Sequence, residues 1–297
     1  MKHYVEIEQL LKAGAHFGHL TRRWNPAMED FIFNERNGIH IIDLRKTQIL
    51  LTLARDAAYE IALSGRNILF VGTKSQAKEL LQDAAKKAEV NYVSERWLGG
   101  MLTNFATIRK SIKRLSSIDK MSMDGTYEKI TKKERLLFDR EREKLRRIFG
   151  GIENMTRLPG ALFVVDTKKE HLAIKEAHNL NIPVLAIVDT NSNPSEVDFP
   201  IPANDDSRNT IELILGVISD ALVEGYTVAK TKRAEMEAET ERINKENEST
   251  GDDQPKVKRK LRERKKEASP KPKEDKPKVE TKSDDSEKAE EKKETAE

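Results

Sequence analysis

The sequence contains no cysteine, and it lacks several other features of specialised protein classes. Without thiols there are no disulfides, no thiolate catalysis and no cysteine-based zinc site, and a reducing compartment, the cytoplasm, is favoured. Aromatic residues make up only 5% of the chain, which is little for a surface that stacks single-stranded bases. No apolar run approaches the roughly 18 residues of a membrane span. The opening segment MKHYVEIEQLLKAG has no long apolar run, so we do not expect it to be a secretory signal.

Charged residues, by contrast, form 35% of the 297 residues, whereas about one quarter is usual for globular proteins. The formal net charge is only +3, but it is unevenly distributed. Residues 95–149 contain 15 basic and 8 acidic side chains, a net charge of +7, whereas residues 231–297 contain 20 of each sign. The positive charge is therefore concentrated in one internal segment.

Three continuous apolar runs predict a parallel β-sheet. They lie in the segments RNILFVGTK (66–74), ALFVVDTKK (161–169) and PVLAIVDTN (183–191). Because the runs do not alternate with polar residues, both faces of each strand should be buried. A helical pattern follows each run, at 75–88, 170–180 and 206–225. This alternation predicts an α/β fold with a doubly wound parallel sheet.

Two more elements are predicted before the first of these strands. Residues 47–64 have an apolar stripe at helical spacing, and residues 31–43, FIFNERNGIHIID, have the pattern of a β-hairpin. Asn37-Gly38 is the expected turn of this hairpin, because both residues tolerate positive φ.

One insertion interrupts the alternation of strands and helices. Between Asn104 and Gly150 the apolar residues recur at three- and four-residue steps, and Thr131 and Glu134 have the spacing of a capping box. The apolar positions are Phe105, Ile108, Ile112 and Leu115 in the first arm, and Phe138, Leu145, Ile148 and Phe149 in the second. The pattern predicts an antiparallel helical hairpin, similar to a coiled coil, that projects from the domain.

These patterns divide the chain into three parts. Residues 1–103 and 150–230 form a discontinuous α/β domain, residues 104–149 form the inserted hairpin, and residues 231–297 form a charged tail. The last helix is able to continue into the tail, but beyond Ser249 the composition predicts disorder. The basic block KVKRKLRERKK (256–266) is interpreted as part of a solvated tail, with contact to RNA as the alternative.

The sequence does not favour catalysis. The segment FVGTKSQAKEL has one glycine where dinucleotide-binding and nucleotide-hydrolysing loops need two or three, and RWLGGMLTN lacks a lysine after its glycines. Gly99-Gly100 is therefore interpreted as a turn, and no nucleophile–base pair can be assigned.

A divalent cation, zinc or magnesium, is one interpretation of a group of histidines and aspartates. Asp189 follows a predicted strand, and Asp205-Asp206 comes just before the last helix, so both should lie at the carboxyl edge of the sheet. His16 or His19 would complete the ligand set. The simpler alternative is that Asp205 or Asp206 caps the helix, and that an arginine such as Arg208 neutralises the carboxylates.

Basic side chains form the strongest candidate site. The expected RNA-binding residues are Arg22, Arg23, Arg96, Arg109, Lys110, Lys113, Arg114, Arg146 and Arg147. Phosphate contacts from such groups supply most of the affinity for nucleic acid. We expect the two tryptophans, Trp24 and Trp97, to anchor the core rather than to stack on bases.

Many motifs resemble, in order, those of one family. LLKAGAHFGHLTRRWNPAMEDFIFNERNGIHIIDLRKT resembles the opening of the second protein of the small ribosomal subunit in its bacterial form. NILFVGTK, RWLGGMLTN, SIKRL, LPGALFVVD, NIPVLAIVDTNSNP and FPIPANDD are similar to later motifs of that family. The resemblance covers residues 5–227 and leaves out the tail.

The resemblance implies a flavodoxin-like domain with an inserted hairpin, and a structural role in translation. It implies binding to small-subunit ribosomal RNA between the head and the body, and docking of the large multi-domain protein that binds messenger RNA. Gly99-Gly100 would be the junction from which the hairpin reaches RNA. A free RNA-binding regulator outside the ribosome, or a small-molecule α/β enzyme, are the alternatives.

Overall fold

The computed structural model describes residues 4–125 and 130–249. The chain divides into two units, Met1–Glu239 and Thr240–Glu297, and the α/β fold lies in the first. Of the second unit, the described residues 240–249 are helical. The predicted disorder beyond Ser249, and the basic block 256–266, lie outside the described residues.

Eight strands and seven helices follow one another along the described chain. The strands are β1 (Phe17–Leu20), β2 (Ile32–Arg36), β3 (Ile39–Ile42), β4 (Ile68–Val71), β5 (Asn91–Val93), β6 (Ala161–Val165), β7 (Val184–Val188) and β8 (Phe199–Pro202). The helices are α1 (Ile7–Ala13), α2 (Leu44–Leu63), α3 (Lys78–Lys87), α4 (Phe105–Met123), α5 (Lys132–Phe149), α6 (His171–Asn179) and α7 (Arg208–Ser249).

Five strands form a parallel sheet in the order β5-β4-β6-β7-β8. Numbered by their sequence within this sheet, the strands have the order 2-1-3-4-5, which is that of a flavodoxin-like fold. The predicted doubly wound, flavodoxin-like α/β class is therefore confirmed. β5 and β8 were not recognised as strands in the sequence, because β5 has only three residues and β8 contains two prolines, which argue against a strand.

Successive residues of each central strand pack on opposite faces of the sheet. Phe70 and Phe163, whose ring centres are 5.5 Å apart, belong to a core that includes buried residues of α2, α3 and α7. Leu69 and Val164 belong to a second core with residues of α4 and α6. Burial on both faces explains why the strands are continuous apolar runs.

A smaller antiparallel sheet, in the order β1-β3-β2, precedes the parallel one. β2 and β3 form the predicted hairpin, and its turn residues Asn37 and Gly38 both have positive φ, 53° and 74°. β1 was not predicted. It leads to the carboxyl edge of the parallel sheet, where the His19 N–H donates to Thr190 Oγ1 at 2.8 Å.

The inserted segment contains two helices, α4 and α5, in contact with each other. Thr131 and Glu134 form the predicted capping box at the start of α5. Ile108, Ile112 and Leu115 of α4 are buried, as is Phe149 at the end of α5. That the pair forms an antiparallel, coiled-coil-like hairpin that projects as a separate part remains a prediction.

Among the described helices, none has both the length and the apolar composition that would let it cross a membrane.

Candidate nucleic-acid interface

The loop before α4 is held in place by one carboxylate, that of Glu176 on α6. Glu176 Oε1 accepts hydrogen bonds from Trp97 Nε1 at 3.0 Å and from the Gly100 N–H at 2.7 Å. Its Oε2 accepts from the Leu102 N–H at 3.0 Å, and from the N–H and hydroxyl of Thr103 at 3.1 and 3.0 Å. Burial alone would raise the pKa of Glu176, but the bonds from Thr103, Trp97, Leu102 and Gly100 lower it below its usual value.

Glu176 therefore fixes the direction in which the chain leaves the sheet and enters α4. The sequence analysis missed this role. A signal was present, since Glu176 lies between the apolar positions Ile174 and Ala177 on a short helix. A carboxylate at such a position needs internal hydrogen-bond donors.

The two glycines of this loop are not equivalent. Gly100 has φ of +88°, and a side chain there would also approach Asn104 Cβ at 3.2 Å. Gly99 does not have positive φ, and a Cβ added to it meets nothing within 4 Å. The predicted conformational role applies to Gly100, and the structure gives no steric reason for glycine at position 99.

The predicted RNA-binding cations separate into two groups. Arg114 on α4 donates to both oxygens of Glu141 at 3.0 Å, and Arg146 on α5 donates to both oxygens of Asp119 at 2.9 Å. These two guanidinium groups join the helices. The other predicted RNA-binding cations are exposed and form no ion pair within the described part of the chain. They are Arg22, Arg23, Arg96, Arg109, Lys110, Lys113 and Arg147.

The cations also lie on separate elements. Arg109, Lys110 and Lys113 are on α4, and Arg96 is in the loop before it. Arg22 and Arg23 form a short 3-10 turn after β1, and the Asn25 N–H that follows donates to the Thr190 carbonyl at 2.8 Å. That turn is therefore attached to the carboxyl end of β7.

The tryptophans differ, and the expectation that both anchor the core is half wrong. Trp97 is buried and bonded to Glu176. Trp24 is 37% exposed and lies against His40, with ring centres 5.3 Å apart. Trp24 follows the short turn after β1 and is not part of either core cluster of the described residues.

A cluster of carboxylates occupies the carboxyl edge of the parallel sheet, as the topology predicted. His19 Nε2 lies 4.0 Å from Asp205 Oδ1, and His19 Nδ1 lies 3.7 Å from Asp206 Oδ2. Asp189 is adjacent, since its Oδ2 accepts from the Asp205 N–H at 3.4 Å. His16 is not part of the group whose ligand atoms converge; it stacks on Phe17 instead.

The cation at the centre of this cluster is Lys74, which the sequence analysis did not consider. Its ammonium group lies 2.8 Å from Asp205, 2.6 Å from Asp206 and 3.6 Å from Asp166. Burial would lower the pKa of Lys74, but the hydrogen bond and charge of Asp205, followed by those of Asp206 and Asp166, raise it. Lys74 is the third residue after β4, so the rule that placed the aspartates at this edge could also have found it.

Two alternatives for the aspartates are wrong. Arg208 does not neutralise them, because its guanidinium bonds to Glu79 at 3.0 Å. Neither Asp205 nor Asp206 caps α7, since the Ser207 hydroxyl accepts from the Thr210 N–H and the Ser207 carbonyl from the Ile211 N–H. Asp205 is fully buried, and burial, followed by the charges of Asp189 and Asp166, raises its pKa.

Comparison with known proteins agrees with this fold and surface. Residues 10–225 match the family model described as ribosomal protein S2. The chain is 58% identical over 226 residues to the small ribosomal subunit protein uS2 of Chloroherpeton thalassium, which covers 76% of this chain and 90% of the relative. Proteins of the same name from Chlorobium chlorochromatii and Christiangramia forsetii are 56% and 54% identical, covering 82% and 84% of this chain and 99% and 83% of the relatives.

The family model and these relatives place the chain among the structural proteins of the ribosome. The chain is a member of the ribosomal protein S2 family. It is thus a structural constituent of the small ribosomal subunit and functions in translation, and the enzyme alternative is wrong.

Proposed function

We propose that the chain binds small-subunit ribosomal RNA directly, with the cations of α4 and its preceding loop as the principal contact. The proposal includes a position between the head and body of a cytoplasmic ribosome, and docking of the large multi-domain messenger-RNA-binding protein. Its main support is the net charge of +7 on residues 95–149. Because Arg109, Lys110 and Lys113 are exposed without an ion-pair partner in the described structure, they are available to phosphate.

The two groups of cations suggest a matched experiment. Replacing Arg109, Lys110 and Lys113 with Ala should weaken binding to a transcript of the small-subunit ribosomal RNA and flatten its salt dependence. For every phosphate that the variant no longer neutralises, the slope of log K against log[salt] should fall by about 0.7 to 0.9. The control is Arg114→Ala with Arg146→Ala, which removes cations already paired with carboxylates and should change the slope less.

Sucrose-gradient sedimentation of cell lysate tests the assembly itself. Wild-type protein should sediment with the small subunit, and the triple variant should be released as the salt concentration rises. A triple variant that remains on subunits as firmly as wild type would contradict the role of α4. Protein found only outside ribosomal particles would instead favour the free RNA-binding regulator.

We also propose that the carboxylate cluster accepts one divalent ion, zinc or magnesium, although the family requires no cofactor. Ligand atoms of His19, Asp205 and Asp206 lie within 4.8 Å of one another. Asp205 Oδ2 is buried without a hydrogen-bond partner in the described structure, and the single charge of Lys74 does not balance its three carboxylate neighbours. The ion would compete with the Lys74 ammonium group for these carboxylates.

Metal analysis of the purified protein tests this site. Wild-type protein should contain the ion near stoichiometry, Asp205→Ala should lose it, and Lys74→Gln should bind it more tightly because the competing cation is removed. Equal substoichiometric amounts in wild type and Asp205→Ala would overturn the metal and leave the Lys74 ion pairs as the explanation of the cluster.

A further inference from the structure

A cleft of about 210 Å³ lies at the amino end of the parallel sheet, at the opposite edge from the carboxylate cluster. Its lining comes from the residues that precede β4, the end of α3, and α7. Gly65, Glu89, Lys230 and Arg233 are among the lining residues. None of the RNA-binding residues predicted from the sequence belongs to it.

Two arginines converge on Gly65, which has φ of +72°. Arg157 Nη2 donates to the Gly65 carbonyl at 3.0 Å. Arg233 packs over the same residue so closely that a methyl group added there would overlap its guanidinium. Gly65 is thus contacted by arginines from two separate segments, the loop before β6 and α7.

Arg66 is held beside them. Its side chain lies along Gly160, and its carbonyl accepts a hydrogen bond from the Tyr226 hydroxyl at 3.2 Å. Burial raises the pKa of Tyr226 to about 12, so this hydroxyl remains protonated and able to donate. Lys230, on the preceding turn of α7, lines the cleft together with Arg233. Arg157 and Arg66 lie beside it, because Arg157 bonds to the lining residue Gly65 and Arg66 is the neighbour of Gly65 in the chain.

These four cations form no ion pair in the part of the chain that the structure describes. The acidic residue that lines the cleft is Glu89, which leaves an excess of positive charge. Like charges gathered in a concave surface repel one another, so a bound polyanion would be favoured there. Arginine suits phosphate in particular, because its guanidinium is able to donate two parallel hydrogen bonds.

A second depression, of about 290 Å³, adjoins the cleft and shares Asn67 with it. Its lining includes Asn91, Asn154, Thr156 and Arg157. Amide and hydroxyl groups next to guanidinium groups suit the ribose and phosphate oxygens of a nucleic-acid backbone. An acidic peptide would in addition need apolar pockets for anchoring side chains, whereas polar side chains outnumber apolar ones such as Met155 and Leu158 in the lining.

We propose that Arg66, Arg157, Lys230 and Arg233 form a second RNA contact, the amino-edge cleft, which binds the phosphate backbone of the small-subunit ribosomal RNA. This inference rests on the proposed function, because it assumes that the chain sits on that RNA. It goes beyond the proposed function by placing RNA at the amino edge of the sheet as well as on α4.

The absence of cysteine allows a direct test by hydroxyl-radical probing. Asn154→Cys introduces one thiol in the depression that adjoins the cleft, to which an iron chelate can be attached. In assembled small subunits the chelate should cleave ribosomal RNA near the cleft. Adding Arg157→Gln and Arg233→Gln should reduce this cleavage at least severalfold. The control, Lys12→Gln with Lys175→Gln, removes the same charge elsewhere and should leave the cleavage unchanged.

Equilibrium binding of the full chain to the RNA transcript gives a second measurement. The Arg157→Gln, Arg233→Gln pair should lower the salt slope by about 1.4 to 1.8, the value for two phosphate contacts. If labelled protein enters subunits but the chelate cleaves no RNA, the cleft does not contact RNA and the proposed function still stands. If the protein fails to enter subunits or to bind the transcript at all, the proposed function itself fails.

An acidic segment is the competing occupant, and the chain carries one in DDSEKAEE (284–291). Truncation after Ser249 removes this segment and therefore distinguishes it from RNA as the occupant of the cleft. Unchanged cleavage and salt slope support RNA. Stronger RNA binding after truncation, lost again in the Arg157→Gln, Arg233→Gln background, would mean that the tail occupies the cleft and would overturn the proposal.

Discussion

At the scale of single residues, Glu176 determines how the loop before α4 is held. It accepts five hydrogen bonds from one loop, and a glutamine in its place would turn an NH₂ group toward N–H donors. We expect Glu176→Gln to lower the free energy of unfolding by about 2 kcal/mol at neutral pH, because charged hydrogen bonds disappear and donors are left buried. Chemical denaturation, with Glu143→Gln on exposed α5 as the control, measures it.

The effect of Glu176→Gln should also depend on pH. Since the folded protein lowers the pKa of Glu176 below its usual 4.5, the carboxylate stabilises the fold above that value. This stabilisation is lost as the pH falls through the folded-state pKa. The difference in stability between wild type and Glu176→Gln should therefore be constant from neutral pH down to about 5 and shrink below about 4. A difference that grows on acidification would contradict the assignment.

The two glycines before α4 allow a matched comparison of the cost of replacing glycine with alanine. Gly100→Ala should cost about 1 to 2 kcal/mol, because alanine resists the left-handed conformation at φ of +88°. Gly99→Ala meets no neighbouring atom and should be close to neutral in the folded state. Thermal unfolding of both variants measures the difference, and equal losses would show that the loop in solution differs from this structure.

Individual residues also show which contacts could be predicted from the sequence and which could not. The topology rule placed Asp189, Asp205 and Asp206 at one edge, with His16 or His19 as a further ligand, and the structure brings His19 together with Asp205 and Asp206. Their partner Lys74 was not predicted, although it follows β4 and the same topology rule places it at this edge. Its contact with Asp205, 131 positions away, is defined only by the three-dimensional fold. Glu176 is similar, since its donors lie in a loop that no local pattern connects to α6.

At the scale of elements, predictability follows the continuity of the apolar pattern. The buried strands β4, β6 and β7 are unbroken apolar runs and were predicted, as was the β2–β3 hairpin from its Asn-Gly turn. β1 and β5 have three or four residues with mixed exposure. For elements this short, pairing with neighbouring strands decides the conformation, and that information is not local.

The packing of α4 on α5 gives a prediction at this scale. Leu115 is fully buried, whereas Leu136 at the start of α5 is 51% exposed. Leu115→Ala should destabilise the helix pair by about 2 to 5 kcal/mol, the usual cost of emptying a buried leucine site. Hydrogen exchange should accelerate in α4 and α5, and Leu136→Ala should leave it nearly unchanged. Uniform acceleration through the parallel sheet as well would mean that the pair does not open by itself.

At the scale of the whole molecule, the question is where the folded unit ends on α7. The sequence analysis placed the start of the tail at residue 231, whereas the first unit extends to Glu239. The stretch between has at least one definite contact, since Arg233 packs over Gly65. Composition alone did not reveal it, because a charged helix that packs through a few small or long side chains has no strong apolar stripe.

Two truncations follow from this boundary. Stopping the chain after Glu239 should leave the thermal midpoint close to that of the full protein, because the composition of the removed segment offers little apolar area to bury. Stopping after Val228 also removes Ala229 and Arg233, so we expect a loss of about 1 kcal/mol, or about 2 to 4 °C in a domain of this size. Arg233→Ala in the full chain should account for part of that loss through the packing on Gly65. If both truncations melt together with the full protein, residues 229–239 do not contribute to the folded unit.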